Sequence, residues 1–584
     1  MIGILLLFLT NYLSGFFIFR LFFKKTNILE IILLPQIFSM ITTPVIFYLL
    51  YLFVGFNLAL YILPLISLMI FLISLKKKQV MERKTVNKKF LFLFFSLMAL
   101  CIAFVFIYYF MNLYELGDQL NWMSISYEII NSKSLPPNYP CFYGSKVHFQ
   151  WFYHLMVALT SMYSGVDVFY LMPFLGVYML ILFSLISFMI ASHHLKEFKI
   201  SFLAMVIFML FFLGKYTDPN YNGYGLIIAL LSVYIFMKFI ESKSNQFAVL
   251  TGIVAGSLIY FHAFSFFFVS LFFLSFALYK LIFGFGKKDL LQILLMATPF
   301  ALAIPYLVSV TGYTESFFLF EPFGGLLLNY ILKFNILLVA LPFGIILAVK
   351  KFNETSLVFI SFLITLFVVL NTFVTTKTPA YLYFFEYMVI PITLVSLKFV
   401  SSLPPTMKNL FVVVVIVLLL YPFLDYIRPL YKNQNILLTD EYTASKWIKD
   451  NTATNATILT SDYPLYIALS GRKTIVCQTI SLIGEHLNPR ENFADLIMLY
   501  TNPSRDLIEK YNISYIMIGK MEKEFFKKYD LTPYNFTPPA FEIAYSYGSV
   551  TIFRVVEKDK IPSTVNENIR NSLNFTSYSR WWQI

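Results

Sequence analysis

Carboxylates and histidines are scarce in this chain, 31 Asp and Glu and 6 His among 584 residues, so where they gather is informative. Glu115, Asp118, His148 and His154 fall in one polar, Pro-rich stretch from Asn112 to Tyr163, flanked by segments that are almost pure Phe, Leu, Ile and Val. A carboxylate held beside a reacting hydroxyl can serve as a general base. His148 and His154 lie six residues apart, which does not place two imidazoles on one helical face as a spacing of three or four does, so a metal pair is not expected. A hydrogen-bonding role at the bilayer surface suits them better. Asp118 opens DQLNWMSISYEIIN, in which Leu120, Met123, Tyr127 and Ile130 recur at helical spacing. The pattern predicts an amphipathic helix lying flat on the membrane surface, with Trp122 at the interface. An Asp at that position also caps the helix by accepting backbone N–H groups. Capping and catalysis are compatible, since a carboxylate fixed at a helix start is already oriented.

Other chemistry-bearing residues are dispersed. Asp218 stands in DPNYNGYGL between two apolar segments, with a turn role as the plain alternative. Glu386 falls just inside an apolar segment, and a carboxylate at bilayer depth is a functional candidate by default. His262 and Lys333 share that reasoning more weakly. Lys377 and Lys215 are cations placed to meet a phosphate, with solvated loop positions as the alternative; Glu315 and Glu321 read as loop residues.

These residues need elements to position them, and composition says which kind. Residues AVILMFWYC make up 59% of the chain, DEKR 13%, and the mean hydropathy is +0.74, which excludes a soluble globular protein and implies a polytopic membrane protein. The net charge of +13 does not indicate nucleic acid, because the basic residues fall mostly in short loops between apolar runs. Cys101, Cys141 and Cys477 match no ligand spacing and are expected to form neither a disulfide framework nor a zinc cluster. The first apolar run, from Ile2 to Phe23, lacks a basic leader and a small-residue cleavage site and reads as a retained helix.

A bilayer core needs about 20 apolar residues per helix, and breaks at charges, Pro and Gly give about fourteen segments. They run approximately 2–23, 30–55, 57–75, 90–110, 168–192, 200–214, 224–241, 246–262, 264–283, 290–310, 326–348, 355–373, 380–402 and 409–427. Placing Lys24 and Lys25 inside puts Lys76 to Lys89, Lys196/Lys199, Lys243, Lys287/Lys288, Lys350/Lys351 and Lys408 inside too, while the opposite loops hold only Lys133, Lys146, Lys215 and Lys377. The acidic loop, residues 111–167, and everything after about residue 430 are thereby expected on the external face of the plasma membrane.

From Pro429 the composition becomes that of a soluble domain. The pattern predicts a helix from Asp440 through Lys449, a strand at 456–460, a short helix from Tyr463 to Ser470 ended by Gly471, and a strand KTIVCQT from Lys473. Helices around ENFADLIMLY and SRDLIEKY, the strand ISYIMIG, the helix EKEFFKKY and a hairpin turning at Gly548 follow. Alternating strands and helices imply a small α/β domain. The division expected is residues 1–89 (N-terminal helices and basic cytoplasmic loop), 90–428 (the main transmembrane domain) and 429–584 (the external domain). Walker A, GxGxxG after a strand, HExxH, GxSxG and 20- to 50-residue repeats are absent, so neither an ATP-driven pump nor a metalloprotease is indicated.

With these features together, the chain resembles GT-C superfamily glycosyltransferases, integral membrane enzymes that use polyprenyl-phosphate-linked sugars on the external face. The resemblance lies in Gly117-Asp118-Gln119 with its following helix, LPPNYP from Leu135 to Pro140 leading into HFQWFYHLMVALTSMYSG, DPNYNGYGL, and YFHAFSFF from Tyr260 to Phe267, and in the external tail. It covers about residues 90–556. The chain departs from the oligosaccharyltransferase branch, since Trp581-Trp582 lacks the Asp-Tyr-Gly continuation. The resemblance implies an all-α polytopic GT-C-like domain followed by the α/β domain, and transfer of a hexose or pentose from a polyprenyl-phosphate donor to an external glycan, lipid or protein acceptor. It further implies Asp118 as candidate base and Asp218 as second catalytic candidate, with Glu115, His148, His154, His262, Lys377 and Glu386 as substrate-binding candidates. No nucleotide cofactor is expected; participation of a divalent cation stays open, with no metal ligands assigned. The partners implied are membrane lipid, donor and acceptor, and no nucleic acid. The competing readings are a transporter or flippase of a lipid-linked or polar substrate, and a non-catalytic surface-assembly protein. Ionisable residues in a transporter usually sit at mid-membrane in both halves, whereas here they cluster at the external side.

Overall fold

The computed structural model describes residues 9–76, 80–81, 88–112, 117–147, 151–217, 221–284, 286–301, 326–351, 354–372, 387–427, 435–461, 463–477 and 489–563. The chain divides into two compact units, residues 1–105 with 173–429, and residues 106–172 with 430–584. The acidic loop therefore belongs to the same compact unit as the C-terminal domain.

In chain order the helices are α1 (Ser14–Phe22), α2 (Ile28–Val54), α3 (Phe56–Ser74), α4 (Lys88–Asn112), α5 (Gly117–Ser132), α6 (Trp151–Ser164), α7 (Val168–Leu195), α8 (Phe198–Thr217) and α9 (Tyr221–Ser242). Then come α10 (Asn245–Ser257), α11 (Ala263–Phe283), α12 (Lys287–Phe300), α13 (Leu326–Lys350), α14 (Glu354–Thr372), α15 (Val389–Val400) and α16 (Pro405–Ile427). Each apolar segment expected from the sequence contains one of these helices. Among the described residues, five stretches are long and apolar enough to cross a bilayer: Ile28–Val54, Phe56–Ser74, Val168–Leu195, Asn222–Ser242 and Ala263–Phe283. Several others, such as Phe198–Leu213, are shorter apolar helices.

The first unit is a helix bundle. With no hydrophobic drive between helices in lipid, close approach depends on small residues. A Cβ on Gly252 of α10 would lie 2.3 Å from the Met296 carbonyl of α12, and one on Gly344 of α13 would lie 2.2 Å from the Val395 carbonyl of α15. α2 begins with a capping box: Asn27 accepts from the Glu30 N–H at 3.0 Å, and Glu30 accepts from the Asn27 N–H at 2.8 Å. Buried Glu30 is also bonded by the Tyr234 hydroxyl at 2.6 Å and paired with Lys238 at 3.2 Å, as a carboxylate in an apolar bundle must be.

The second unit joins the ends of α4 and α7, with α5 and α6 between them, to the C-terminal segment. That segment contains α17 (Asp440–Asn451), β1 (Thr457–Leu459), α18 (Leu465–Ser470), α19 (Arg490–Thr501), α20 (Arg505–Lys510), β2 (Ile513–Ile518), α21 (Lys520–Lys528), β3 (Phe541–Tyr547) and β4 (Val550–Val555). The sheet order is β1-β2-β4-β3, with β1 parallel to β2 and the remaining pairs antiparallel. Ala444 and Ile448 of α17 pack with Ile458, Tyr466, Met517, Val550 and Ile552 as its core. Gly471 at φ +67° ends α18 and Gly548 at φ +55° turns the hairpin, the left-handed conformation that glycine adopts without a Cβ penalty.

Three expectations are corrected here. KTIVCQT does not join the sheet as a strand; Lys473 and Val476 make isolated bridges, to Thr457 and to Phe142 of the acidic loop, and residues from Gln478 lie outside the described set. The cysteines, expected to form neither a disulfide framework nor a zinc cluster, include one bonded pair: Cys141 and Cys477 form a disulfide, while Cys101 is free and buried. No spacing rule could have paired cysteines 336 residues apart. Finally, α5 is not a half-exposed surface helix: Leu120 and Met123, but also Asn121, Ser124, Ser126 and Glu128, are all buried. Its polar face is taken up by α6, α18 and the segment around Lys473 rather than by water.

Candidate active site

Asp118 lies in the first turn of α5, where unpaired backbone N–H groups and the positive end of the helix dipole favour an anion. What fixes this helix is a set of contacts along its length. The Trp122 indole stacks on the His154 imidazole of α6 with centroids 5.3 Å apart and planes 17° from parallel. Asn121 donates to the Tyr139 hydroxyl at 2.7 Å. Met123 meets the hydroxyl of Tyr109, which also donates to the Phe169 carbonyl at 2.9 Å. One turn on, Glu128 accepts from Asn138 at 3.0 Å and pairs with Lys473 at 2.9 Å. Asn131 closes the helix by donating to the Gly471 carbonyl at 2.8 Å.

Tyr127 occupies a second polar centre. Its hydroxyl is bonded to Asp167 and receives a hydrogen bond from Lys449 at 3.2 Å, and Lys449 in turn pairs with Asp167. The ammonium of Lys449 also sits 4.6 Å from the Tyr127 ring centroid. Burial, then the neighbouring Asp167 carboxylate, push the Tyr127 phenol well above its usual range, so it remains a donor. A Cβ at Gly471 would come within 3.0 Å of the Tyr127 ring, so glycine is needed there both for its backbone and for this contact.

The acidic loop is also stitched to the C-terminal segment by backbone. Thr474 N–H donates to the Pro140 carbonyl at 3.0 Å, Tyr143 N–H to Ile475 at 2.9 Å, and Cys477 N–H to Cys141 at 2.9 Å beside the disulfide.

His154 is 1% exposed, and burial depresses its pKa from 6.5 to about 3, with a backbone hydrogen bond at Trp122 pulling weakly upward. It is a neutral, stacked ring inside the second unit rather than an interfacial side chain. His262 belongs to the first unit, where it caps α11: its Nδ1 lies 2.6 Å from the Ser265 hydroxyl, which lies 2.5 Å from the Tyr387 hydroxyl. Tyr387 stacks on Phe268 at 4.0 Å. A Cβ on Gly225 of α9 would fall 2.3 Å from that of His262, so glycine admits the histidine there. Glu115, Asp218, His148, Lys377, Glu386, Glu315 and Glu321 lie outside the described residues; Lys215 and Lys333 are placed on α8 and α13. Among the described residues, no group of three or more His, Cys, Asp or Glu is arranged to hold a metal ion.

Sequence reasoning missed Asp167, Lys449, Glu128 and Lys473. Asp167 follows Gly165 at a helix start and reads as an ordinary cap, Lys449 reads as a solvated last-turn cation, and Glu128 falls on the helix face expected to meet water.

No protein-family model matches the chain, and no curated protein matches it. Among solved structures it is similar to the crystal structure of ArnT from Cupriavidus metallidurans bound to undecaprenyl phosphate, at 11% identity and a TM-score of 0.50, covering 79% of this chain and 98% of that one. The apo structure of the same protein aligns at 10% identity and TM-score 0.47 over 80% and 99% of the two chains. Arabinosyltransferase EmbB from Mycobacterium smegmatis aligns at 10% identity and TM-score 0.38 over 84% and 49%. The first of these likenesses shows that the chain shares the fold of that ArnT structure.

Proposed function

We propose that this chain is an integral membrane glycosyltransferase that moves a sugar from a polyprenyl-phosphate donor to an acceptor on the external face of the plasma membrane, with Asp118 as general base. The observation that carries this reading is the placement of Asp118 in the first turn of a helix that is buried over residues 120–129 and bonded from Asn121 to Asn131, on a chain that shares the fold of the ArnT structure. A general base must be held within hydrogen-bond reach of the hydroxyl it deprotonates, and a braced helix start does this better than a free loop. The structural neighbour's undecaprenyl phosphate supports the same class of donor here. The external location is supported by lysine parity and by the Cys141–Cys477 disulfide, which persists in oxidising compartments.

In this mechanism the acceptor hydroxyl loses its proton to Asp118 and attacks the anomeric carbon. The bond from that carbon to the phosphate oxygen breaks through an oxocarbenium-like transition state, and the lipid phosphate leaves. Asp218 assists at the anomeric centre, while Lys377, with Lys215, meets the departing phosphate. Glu115, His148 and Glu386 contact substrate. His262, held by Ser265, which Tyr387 bonds in turn, contributes from the start of α11, and His154 acts through Trp122 by fixing the helix that carries Asp118.

The test is transfer from a radiolabelled polyprenyl-phosphate sugar to a surface-glycan acceptor by purified protein in liposomes. Asp118→Asn is expected to lower kcat by about 10²- to 10⁴-fold. Undiminished transfer by the variant overturns the assignment of the base. Passage of lipid-linked substrate across the vesicles without any transfer overturns the glycosyltransferase reading in favour of a flippase.

A further inference from the structure

The second unit carries acceptor triplets of the form Asn-X-Ser/Thr in its described residues: Asn455-Ala456-Thr457, Asn512-Ile513-Ser514 and Asn535-Phe536-Thr537. Two further triplets have asparagines outside the described residues: Asn574-Phe575-Thr576, and Asn353-Glu354-Thr355, which follows Lys350/Lys351 on the side that lysine parity places inside. Such triplets arise by chance, so what matters is whether the fold presents the whole triplet, Asn amide and hydroxyl together, to another protein.

The first two fail this test although their asparagines are exposed. Ala456 and Thr457 are 4% and 2% exposed, and Thr457 is paired in register with Ile513 in the sheet. Asn512 sits in a turn at φ +49°, but Ile513 is 1% exposed and begins β2. Engaging either triplet would mean pulling a strand out of the sheet.

Asn535 differs. Residues 531–537 run without regular structure between α21 and β3. The segment is anchored by the Leu531 N–H to Phe526 at 2.9 Å and by the Tyr534 N–H to Tyr500 at 2.7 Å. Phe536 is 5% exposed, its ring edge-on to Phe541 at 5.1 Å and tilted over Phe553 at 5.5 Å. In an extended backbone, alternate residues point to opposite sides. With Phe536 driven inward, Asn535 and Thr537 both face out, and both are exposed. Pro538 keeps Thr537 extended. The apolar anchor between the two polar residues makes the display rigid, so the triplet is available on the finished fold.

We propose that Asn535 is an N-glycosylation site of this protein, modified on the folded external domain by a separate transferase that uses a lipid-phosphate-linked oligosaccharide. In that step a bond forms between Asn535 Nδ2 and the anomeric carbon of the first sugar. The bond from that carbon to the phosphate oxygen breaks with its electron pair leaving on the lipid phosphate, and one amide proton passes to a base of the transferase. The inference does not depend on the activity of this chain, only on its domain facing the compartment where such donors are used.

The experiment is peptide mass spectrometry of the full-length protein purified from membranes of its own host, covering all five asparagines. A sugar mass on the Asn535 peptide, lost in Thr537→Ala with Asn535 retained, and bare Asn353, is the result expected. The Asn535→Gln protein should show the corresponding downward gel shift. Complete coverage with Asn535 bare overturns the proposal, as does sugar on Asn353, which would reverse the orientation. Sugar on Asn455 or Asn512 with Asn535 bare would overturn it as well, because acceptor choice would then precede folding.

Discussion

Replacing Lys473 by Met probes whether the C-terminal domain braces the helix that carries Asp118. Glu128 is buried, its side chain 2% exposed, and its partners are Lys473 at 2.9 Å and Asn138 at 3.0 Å. Removing one member of a buried ion pair costs about 3–5 kcal/mol, since it strands a desolvated charge. Lys473 is 23% exposed on its side chain and Asn138 stays in place, so the low end, about 3 kcal/mol, is the appropriate value here. Hydrogen exchange of the amides in α5 reads that loss without any assay of activity. About 3 kcal/mol is roughly a 100-fold loss of protection across residues 121–132 of α5, while the α19 amides should be unaffected. Adding Glu128→Gln removes the stranded charge, keeps the Asn138 bond, and should restore most of the protection. In a transfer assay the single variant should lower kcat with little change in KM for the lipid donor. Equal α5 protection in wild type and Lys473→Met, or no recovery in the double variant, would refute the brace.

Further expectations concern the same helix and its surroundings. His154 has a depressed native pKa of about 3 against 6.5 unfolded, so between those values the unfolded chain binds more protons and stability falls as pH falls. From about pH 7.5 to about pH 5 this amounts to about 2 kcal/mol, and His154→Phe, which keeps a stacking ring on Trp122, should flatten that part of the melting-temperature profile of the purified protein. Cys141→Ser leaves unclosed a loop whose ends are 336 positions apart in sequence and should cost about 2–5 kcal/mol, seen as easier proteolysis of the acidic loop. Gly225→Ala forces a Cβ onto that of His262 and should cost about 1–3 kcal/mol, read as a lower melting temperature with the greatest gain in hydrogen exchange at the start of α11.

What could be read in advance follows a physical division. The apolar helices and nearly all elements of the C-terminal domain were legible because hydropathy, capping residues and turn glycines act over a few neighbouring residues. The pattern starts α17 at Asp440; the structure caps it one residue earlier, at Thr439, which accepts from the Tyr442 N–H, and Gly471 ends α18 as expected, each within a single turn. His154 and His262 could likewise be singled out as candidates, since an imidazole stands out in apolar sequence.

Their surroundings could not be read. Asp167 finds Lys449 at a separation of 282 residues, Asn131 finds Gly471 at 340, and Cys141 finds Cys477 at 336. No local pattern encodes such pairs. The helix after Asp118 is the clearest case: its sequence determines a helix with polar residues on one side, and spacing assigns that side to water. The tertiary structure instead brings Lys473, Asn138 and Tyr139 against it, because a buried carboxylate and amide with matched partners can be packed where unpaired ones cannot. The sequence by itself determined that there would be a membrane bundle, an acidic loop and an α/β tail. Only the tertiary structure decided that loop and tail form one compact unit that includes the helix carrying Asp118.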